Sequence, residues 1–123
     1  FSYPKEEKLK SRKIIDLLFT EGKSVAKFPL RLMYVGINND SDGSIKFGVS
    51  VSKKYFKKAV DRNYIKRMLR EIYRHNKHLL ISQKSTYAMM LLYQSRELLA
   101  YDDINSKAVA LFTKFSEVAE RPD

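Results

Sequence analysis

The sequence predicts a single α+β domain, and three observations carry that prediction. The run Ile45-Lys46-Phe47-Gly48-Val49-Ser50-Val51-Ser52 alternates strictly, with apolar side chains on one face and polar or small ones on the other, the period of a half-buried strand. Residues from Ala59 to Leu80 divide at helical spacing into an apolar stripe and a cationic sector. The chain has 123 residues, 44% of them hydrophobic, enough for one domain with its own core and no need of disulfides or metals.

Residues 1–10 are polar and read as a flexible arm. Ser11 is placed to cap a helix running to Glu21, with Ile14, Ile15, Leu18 and Phe19 on one side and Gly22 as its stop. Pro29 precedes Leu30–Ile37, a β-rich apolar run expected to be a strand. Residues 38–44, Asn-Asn-Asp-Ser-Asp-Gly-Ser, have turn chemistry and predict the tip of a hairpin leading into the Ile45–Ser52 strand. After the long helix comes Thr86–Tyr93, short and apolar on both faces, as in a buried strand. Asp102 or Asp103 is expected to cap a last helix to about Glu120. The expected order is α-β-β-β-α-β-α, a mixed sheet with packed helices and a β-α-β crossover.

Charge is concentrated rather than spread. Of 24 Lys and Arg and 14 Asp and Glu, ten basic and only two acidic residues lie between Lys53 and His78, so that segment holds +8 of the net +10. Such a concentration repels itself and attracts polyanions. With Arg62 at zero on the helical wheel, Arg62, Tyr73, Lys66, Lys77, Arg70, Asn63, Arg74 and Arg67 fill the arc to about 140°, while Met68, Ile65, Leu69 and Ile72 occupy about 240–340°. Arg62, Lys66, Arg70 and Arg74 form one i, i+4 row of like charges, unfavourable on an isolated helix and favourable against phosphates. Asn63 adds a donor and acceptor, and Tyr73 a ring to stack on a base or ribose. Tyr64, near 200° on the wheel, is expected at the edge of the core. The preceding loop, Lys53-Lys54-Tyr55-Phe56-Lys57-Lys58, interleaves cations and aromatics as single-stranded nucleic-acid sites do, with Phe56 expected to tuck into the core.

Other chemistries lack their residues. Zero cysteines exclude thiolate catalysis, iron–sulfur clusters and cysteine zinc sites, and fit a reducing compartment. The longest uncharged run, Ser85–Ser95, has 11 residues, short of the roughly 20 a spanning helix needs. No signal-peptide pattern is visible, and the start at Phe1 without Met fits a processed or truncated chain. A protein nuclease needs converging carboxylates or a histidine base. Asp61 and Glu71 sit ten residues apart on one helix, about 15 Å along it, and Glu71 is better placed to pair with Arg67 or Arg74. His75 and His78 have no third ligand nearby in sequence. No catalytic residue and no metal ligand is assigned to the chain.

Phe47-Gly48-Val49-Ser50-Val51-Ser52-Lys53-Lys54, then seven residues, then Arg62-Asn63-Tyr64-Ile65-Lys66-Arg67-Met68-Leu69-Arg70-Glu71, resembles the protein subunit of bacterial ribonuclease P. Leu9-Lys10 through Phe19, Gly22 and Ser24-Val25-Ala26 is similar to that family's first helix and following turn. The recognisable motifs cover about residues 8 to 75, and Tyr64 stands where the family usually has a second arginine of its helix motif.

The resemblance implies a left-handed β-α-β crossover, against the hand found in about 98% of such units, and similarity to a domain of ribosomal proteins. It also implies a subunit without catalytic residues in a ribonucleoprotein endonuclease. There the RNA subunit, with Mg²⁺ held mainly by RNA, hydrolyses the phosphodiester that joins the 5′ leader to precursor tRNA. By position, Lys53, Lys54, Arg62, Asn63, Lys66, Arg67 and Arg70 would contact the catalytic RNA. Ile15, Phe19, Met33 or Tyr34, and Ser50 would line a cleft for the leader. The expected partners are the catalytic RNA and precursor tRNA, with no DNA and no membrane, in the cytoplasm. The competing expectation is a ribosome-associated or general RNA-binding module of the same fold without a catalytic role.

Overall fold

The computed structural model describes residues 12–37, 45–80 and 86–119. They form α1 (Arg12–Glu21), β1 (Lys23–Lys27), β2 (Leu30–Ile37), β3 (Ile45–Val51), α2 (Ala59–Asn76) with a terminal 3-10 turn (Lys77–Leu79), β4 (Thr86–Tyr93) and α3 (Tyr101–Ala119). The order α-β-β-β-α-β-α is the expected one. The arm at 1–10, the Ser11 cap and the turn at 38–44 lie outside the described residues.

Strand pairing departs from the sequence reading in two places. The sheet order is β1-β2-β4-β3, so β2 and β3 are not a hairpin; β4 lies between them, antiparallel to β2 and parallel to β3. The physical reason is in β4 itself. Ala88, Met89, Met90, Leu91 and Tyr93 are all buried, and a strand apolar on both faces gains most from a central position. The hairpin of the fold is instead β1–β2, turned at Phe28-Pro29 and paired from Lys23↔Tyr34 to Lys27↔Leu30. Its first strand is the Ser24-Val25-Ala26 segment likened to a turn. Only Val25 is buried there, and a five-residue edge strand with Lys at both ends carries too little apolar pattern to stand out.

Period-2 geometry gives the sheet two distinct faces. One carries Val25, Leu30, Leu32, Tyr34, Phe47, Val51, Met89, Leu91 and Tyr93, packed with Ile65, Met68, Leu69, Ile72 and Tyr73 of α2 and Ile104, Ala108, Leu111, Phe112 and Phe115 of α3. Aromatic pairs knit this core. Phe47 stacks on Tyr73 with centroids 3.9 Å apart, and Phe115 meets Tyr34 and Tyr87 edge-on. Tyr93 is buried with its hydroxyl satisfied, donating to the Glu97 carbonyl and accepting from Leu99 N–H. The other face carries Arg31, Met33, Val35, Lys46, Gly48, Ser50, Ala88, Met90 and Leu92. Helix α1 packs against β2 and β4, and Leu18, Ala88 and Met90 are buried outside the main core cluster.

Gly22 ends α1 as expected, donating its N–H to the Leu18 carbonyl at 3.0 Å. A Cβ here would lie 2.2 Å from that carbonyl oxygen and 3.2 Å from the Tyr34 oxygen. The glycine therefore allows helix end and strand to approach closely. At the other end of the chain, α3 starts at Tyr101, with Ile104 N–H bonded to Ala100 O. Asp102 and Asp103 thus occupy its first turn rather than its cap, where their charge still complements the helix dipole.

Candidate nucleic-acid interface

The strand–loop–helix segment from β3 to α2 brings most of the excess charge to one surface. Ser52 leaves the strand and its Oγ accepts from Lys54 N–H, while its carbonyl accepts from Tyr55 and Phe56 N–H. This compact turn leaves Lys53, Lys54, Lys57 and Lys58 exposed. Phe56 packs against the core beside Tyr93 at 6.0 Å, as expected. On α2, Asn63, Arg67 and Arg70 are exposed and Lys66 is half-buried. Among the described residues, Lys53, Lys54, Lys57, Lys58, Lys66, Arg67 and Arg70 make no ion pair.

Three expectations on this helix are corrected. Tyr73, placed on the wheel among the cations, is 1% exposed and stacked on Phe47; the core stripe is wider than its four aliphatic residues, and Tyr73 offers no ring to a ligand. Tyr64, expected at the core edge, is 54% exposed. The row of four uncompensated cations is really three, since among the described residues only Arg74 of the row meets a carboxylate. Arg62 turns back on the loop, its Nη1 donating to the Phe56 and Lys57 carbonyls at 2.8 Å each. Arg74 donates to Glu71 Oε1 at 2.6 Å, and His75 Nε2 lies 2.9 Å from the same oxygen. The hydrogen bond from Arg74 is the main reason the Glu71 carboxyl is held below its ordinary value. Arg62, Lys66 and Arg70 keep the row's uncompensated charge, Arg62 with one nitrogen tied to the loop, and Arg67 and Asn63 lie beside them.

A second surface lies across the sheet. Ser50 pairs with Leu92, which pairs with Arg31; Gly48 pairs with Met90, which pairs with Met33. Met33 and Ser50 therefore share a face with α1. Tyr34 does not join them: strand parity turns it to the core, where it is 7% exposed against Phe115 and Tyr87. On α1, Ile15 is half-buried and Phe19 is 55% exposed. The sequence reading missed Arg31 on this face. Its Nη1 donates to Ser24 Oγ at 2.8 Å and its Nε to Gln94 Oε1 at 3.3 Å, tying β1 to the end of β4. The available signal was parity, since Arg31 and Met33 sit two apart in Leu30–Ile37, a segment read only as an apolar run.

Glu71 is engaged by Arg74 and His75, and among the described residues no group of three or more His, Asp or Glu is placed to hold a metal ion. No described helix is long and apolar enough to cross a membrane.

Residues 3–116 match the model of the family described as Ribonuclease P. The chain is 41% identical over 91 residues to the ribonuclease P protein component of Porphyromonas gingivalis, a match covering 72% of this chain and 66% of that relative. It is 38% identical over 74 residues to the ribonuclease P protein component of Dictyoglomus thermophilum, covering 60% and 58%. The match thus spans just under two thirds of the length of the first of these relatives. Among solved structures, the ribonuclease P protein from Thermotoga maritima superposes with a TM-score of 0.72 at 26% identity, covering 88% of this chain and 96% of that one. The Staphylococcus aureus ribonuclease P protein gives 0.72 at 22% identity, covering 93% and 95%, and shows the same fold. The fold held in common agrees with the left-handed β3–α2–β4 crossover.

Proposed function

The chain belongs to the ribonuclease P protein family, and from that membership we propose that it is the RNA-binding subunit of a ribonucleoprotein endonuclease that removes the 5′ leader from precursor tRNA. In this reading the RNA performs the hydrolysis. The observation that carries it is the pairing, on one small domain, of two RNA-suited surfaces on opposite sides of one sheet.

Lys53, Lys54, Asn63, Lys66, Arg67 and Arg70 present cations and one amide to the phosphates of the catalytic RNA. Arg62 holds the loop with Nη1 and keeps Nε and Nη2 for the same RNA. Across the sheet, Ile15, Phe19, Met33 and Ser50, joined by Arg31, form the surface for the single-stranded leader. Phe19 suits base stacking there and Arg31 suits phosphate. Mg²⁺ belongs to the RNA in this scheme and supplies charge neutralisation at the scissile phosphate. The chain's own contribution is to lower phosphate repulsion, so that the folded RNA keeps its cations, and to hold the leader so that precursor binds more tightly than product.

Multiple-turnover cleavage of a precursor tRNA tests this with the chain alone, the cognate RNA alone, and both together. At physiological salt and low Mg²⁺ the mixture is expected to cleave at least about tenfold faster than the RNA alone, as expected when phosphate repulsion limits assembly. No improvement over the RNA alone would sink the proposal, and cleavage by the chain alone would assign the chemistry to the protein.

A further inference from the structure

Beside the cationic sector of α2 is an open cavity of about 300 Å³, lined by Tyr64, Arg67, Met68 and Glu71 of α2 and by Tyr101 at the start of α3. Ligand sites span roughly 300–1,000 Å³, so this one suits a single small planar group. Its lining is specific in kind. Tyr64 and Tyr101 are 54% and 38% exposed, giving two aromatic surfaces that the core does not use. Met68 is buried and supplies an apolar floor. Arg67 is an exposed cation without an ion pair among the described residues.

Glu71 supplies the polar discrimination. Both of its described partners, Arg74 and His75, bond Oε1, which leaves Oε2 to accept from a ligand. Arg74 keeps that carboxylate ionised, and burial first, then Glu71 itself, holds the Tyr101 phenol above its ordinary value and so neutral. An ionised acceptor in a cavity lined by aromatic rings recognises N–H donors on a flat heterocycle.

Resting on the RNA-binding reading above, we propose that this cavity receives one unstacked nucleobase of the RNA partner, guanine in preference. Unpaired bases in structured RNA are splayed out, stacked on aromatic side chains and read on their Watson–Crick edges. Guanine presents two N–H donors on that edge, N1–H and the 2-amino group, whereas uracil presents one. Continuity with the cationic surface argues for RNA as the occupant. A strand following Lys66, Arg70 and Arg67 passes the rim of the cavity, and Arg67, which serves both, takes the phosphate beside the inserted base.

The test uses the full chain and two labelled pentaribonucleotides, UUGUU and UUUUU, with affinity read by fluorescence anisotropy. Wild type is expected to prefer UUGUU. Tyr64→Ala and Tyr101→Ala should each lower UUGUU affinity at least about fivefold, the lower end of one stacking contact. Tyr101→Phe, which keeps the ring, should bind as wild type. Glu71→Gln should reduce the preference for UUGUU over UUUUU while circular dichroism shows a folded chain. Equal wild-type affinity for the two pentamers, or unchanged UUGUU affinity in Tyr101→Ala, overturns the assignment. The same preparations are assayed for stimulation of RNA-driven cleavage. A chain that stimulates cleavage and ignores guanine refutes the cavity alone; one that prefers guanine and fails to stimulate refutes the ribonuclease reading and leaves the cavity standing.

Discussion

Arg62 and Arg67 occupy the same cationic stretch of sequence and do different work. Arg62 donates from Nη1 to two loop carbonyls, while Arg67 is exposed and makes no ion pair among the described residues. Arg62→Met keeps most of the stem but removes both N–H donors, so it is expected to lose about 1.5–3 kcal/mol of unfolding free energy, the range of a hydrogen bond from a charged group. Arg67→Ala should leave stability within about 0.5 kcal/mol and shift the salt slope of RNA binding by about one. Urea melts and salt-titrated binding check both, and the reverse pattern would show that the two roles have been exchanged. The residue types and the sector were legible in the sequence; the division of labour was not. A helical wheel ranks directions but does not know where neighbouring elements stop. Tyr73 at about 20° is covered by Phe47, whereas Tyr64 at about 200° is left open. Only the packing of β3 and α3 decides between them.

At the scale of elements, α1 and its junction with β1 position the proposed leader surface, and Gly22 is the residue that permits the junction. An alanine Cβ would meet the Leu18 carbonyl oxygen at 2.2 Å, a contact relieved only by moving the helix end or the strand. Gly22→Ala should therefore cost about 1–3 kcal/mol in denaturant unfolding. A melt unchanged from wild type would mean the junction tolerates such a shift. Since α1 carries Ile15 and Phe19, a displaced helix should also weaken leader discrimination more than catalytic-RNA binding. The glycine stop was readable from its place after an amphipathic run, and so was β4 from its two apolar faces. The pairing partner of β4 was not, because local turn chemistry suggests a hairpin between sequence neighbours and only the whole sheet shows which strand needs both faces covered. Strand β1 was the least legible, with one buried side chain in five residues.

Over the whole molecule, the net +10 resolves into one highly charged surface on the β3–α2 side and a weakly charged one on the α1 side, with the sheet between them. That separation makes the two proposed contacts independent. Residues on opposite sides of a sheet share no partners, and substitutions at such sites are expected to add. Phe19→Ala should reduce discrimination between leader-bearing and leaderless tRNA several-fold, the loss of about one stacking contact, and leave affinity for the catalytic RNA unchanged. Arg67→Ala should weaken binding to the catalytic RNA and leave the discrimination ratio intact. The double variant should show both losses, with coupling below about 0.5 kcal/mol. For the wild-type chain, neutralising about six phosphates predicts a slope of roughly −4 to −5 for log K against log salt. Electrostatics so concentrated on one side should also make catalytic-RNA affinity far more salt-sensitive than leader discrimination. If both quantities fall together with salt, or if each variant damages both, the chain meets its RNAs through one continuous surface and the two-sided arrangement is wrong.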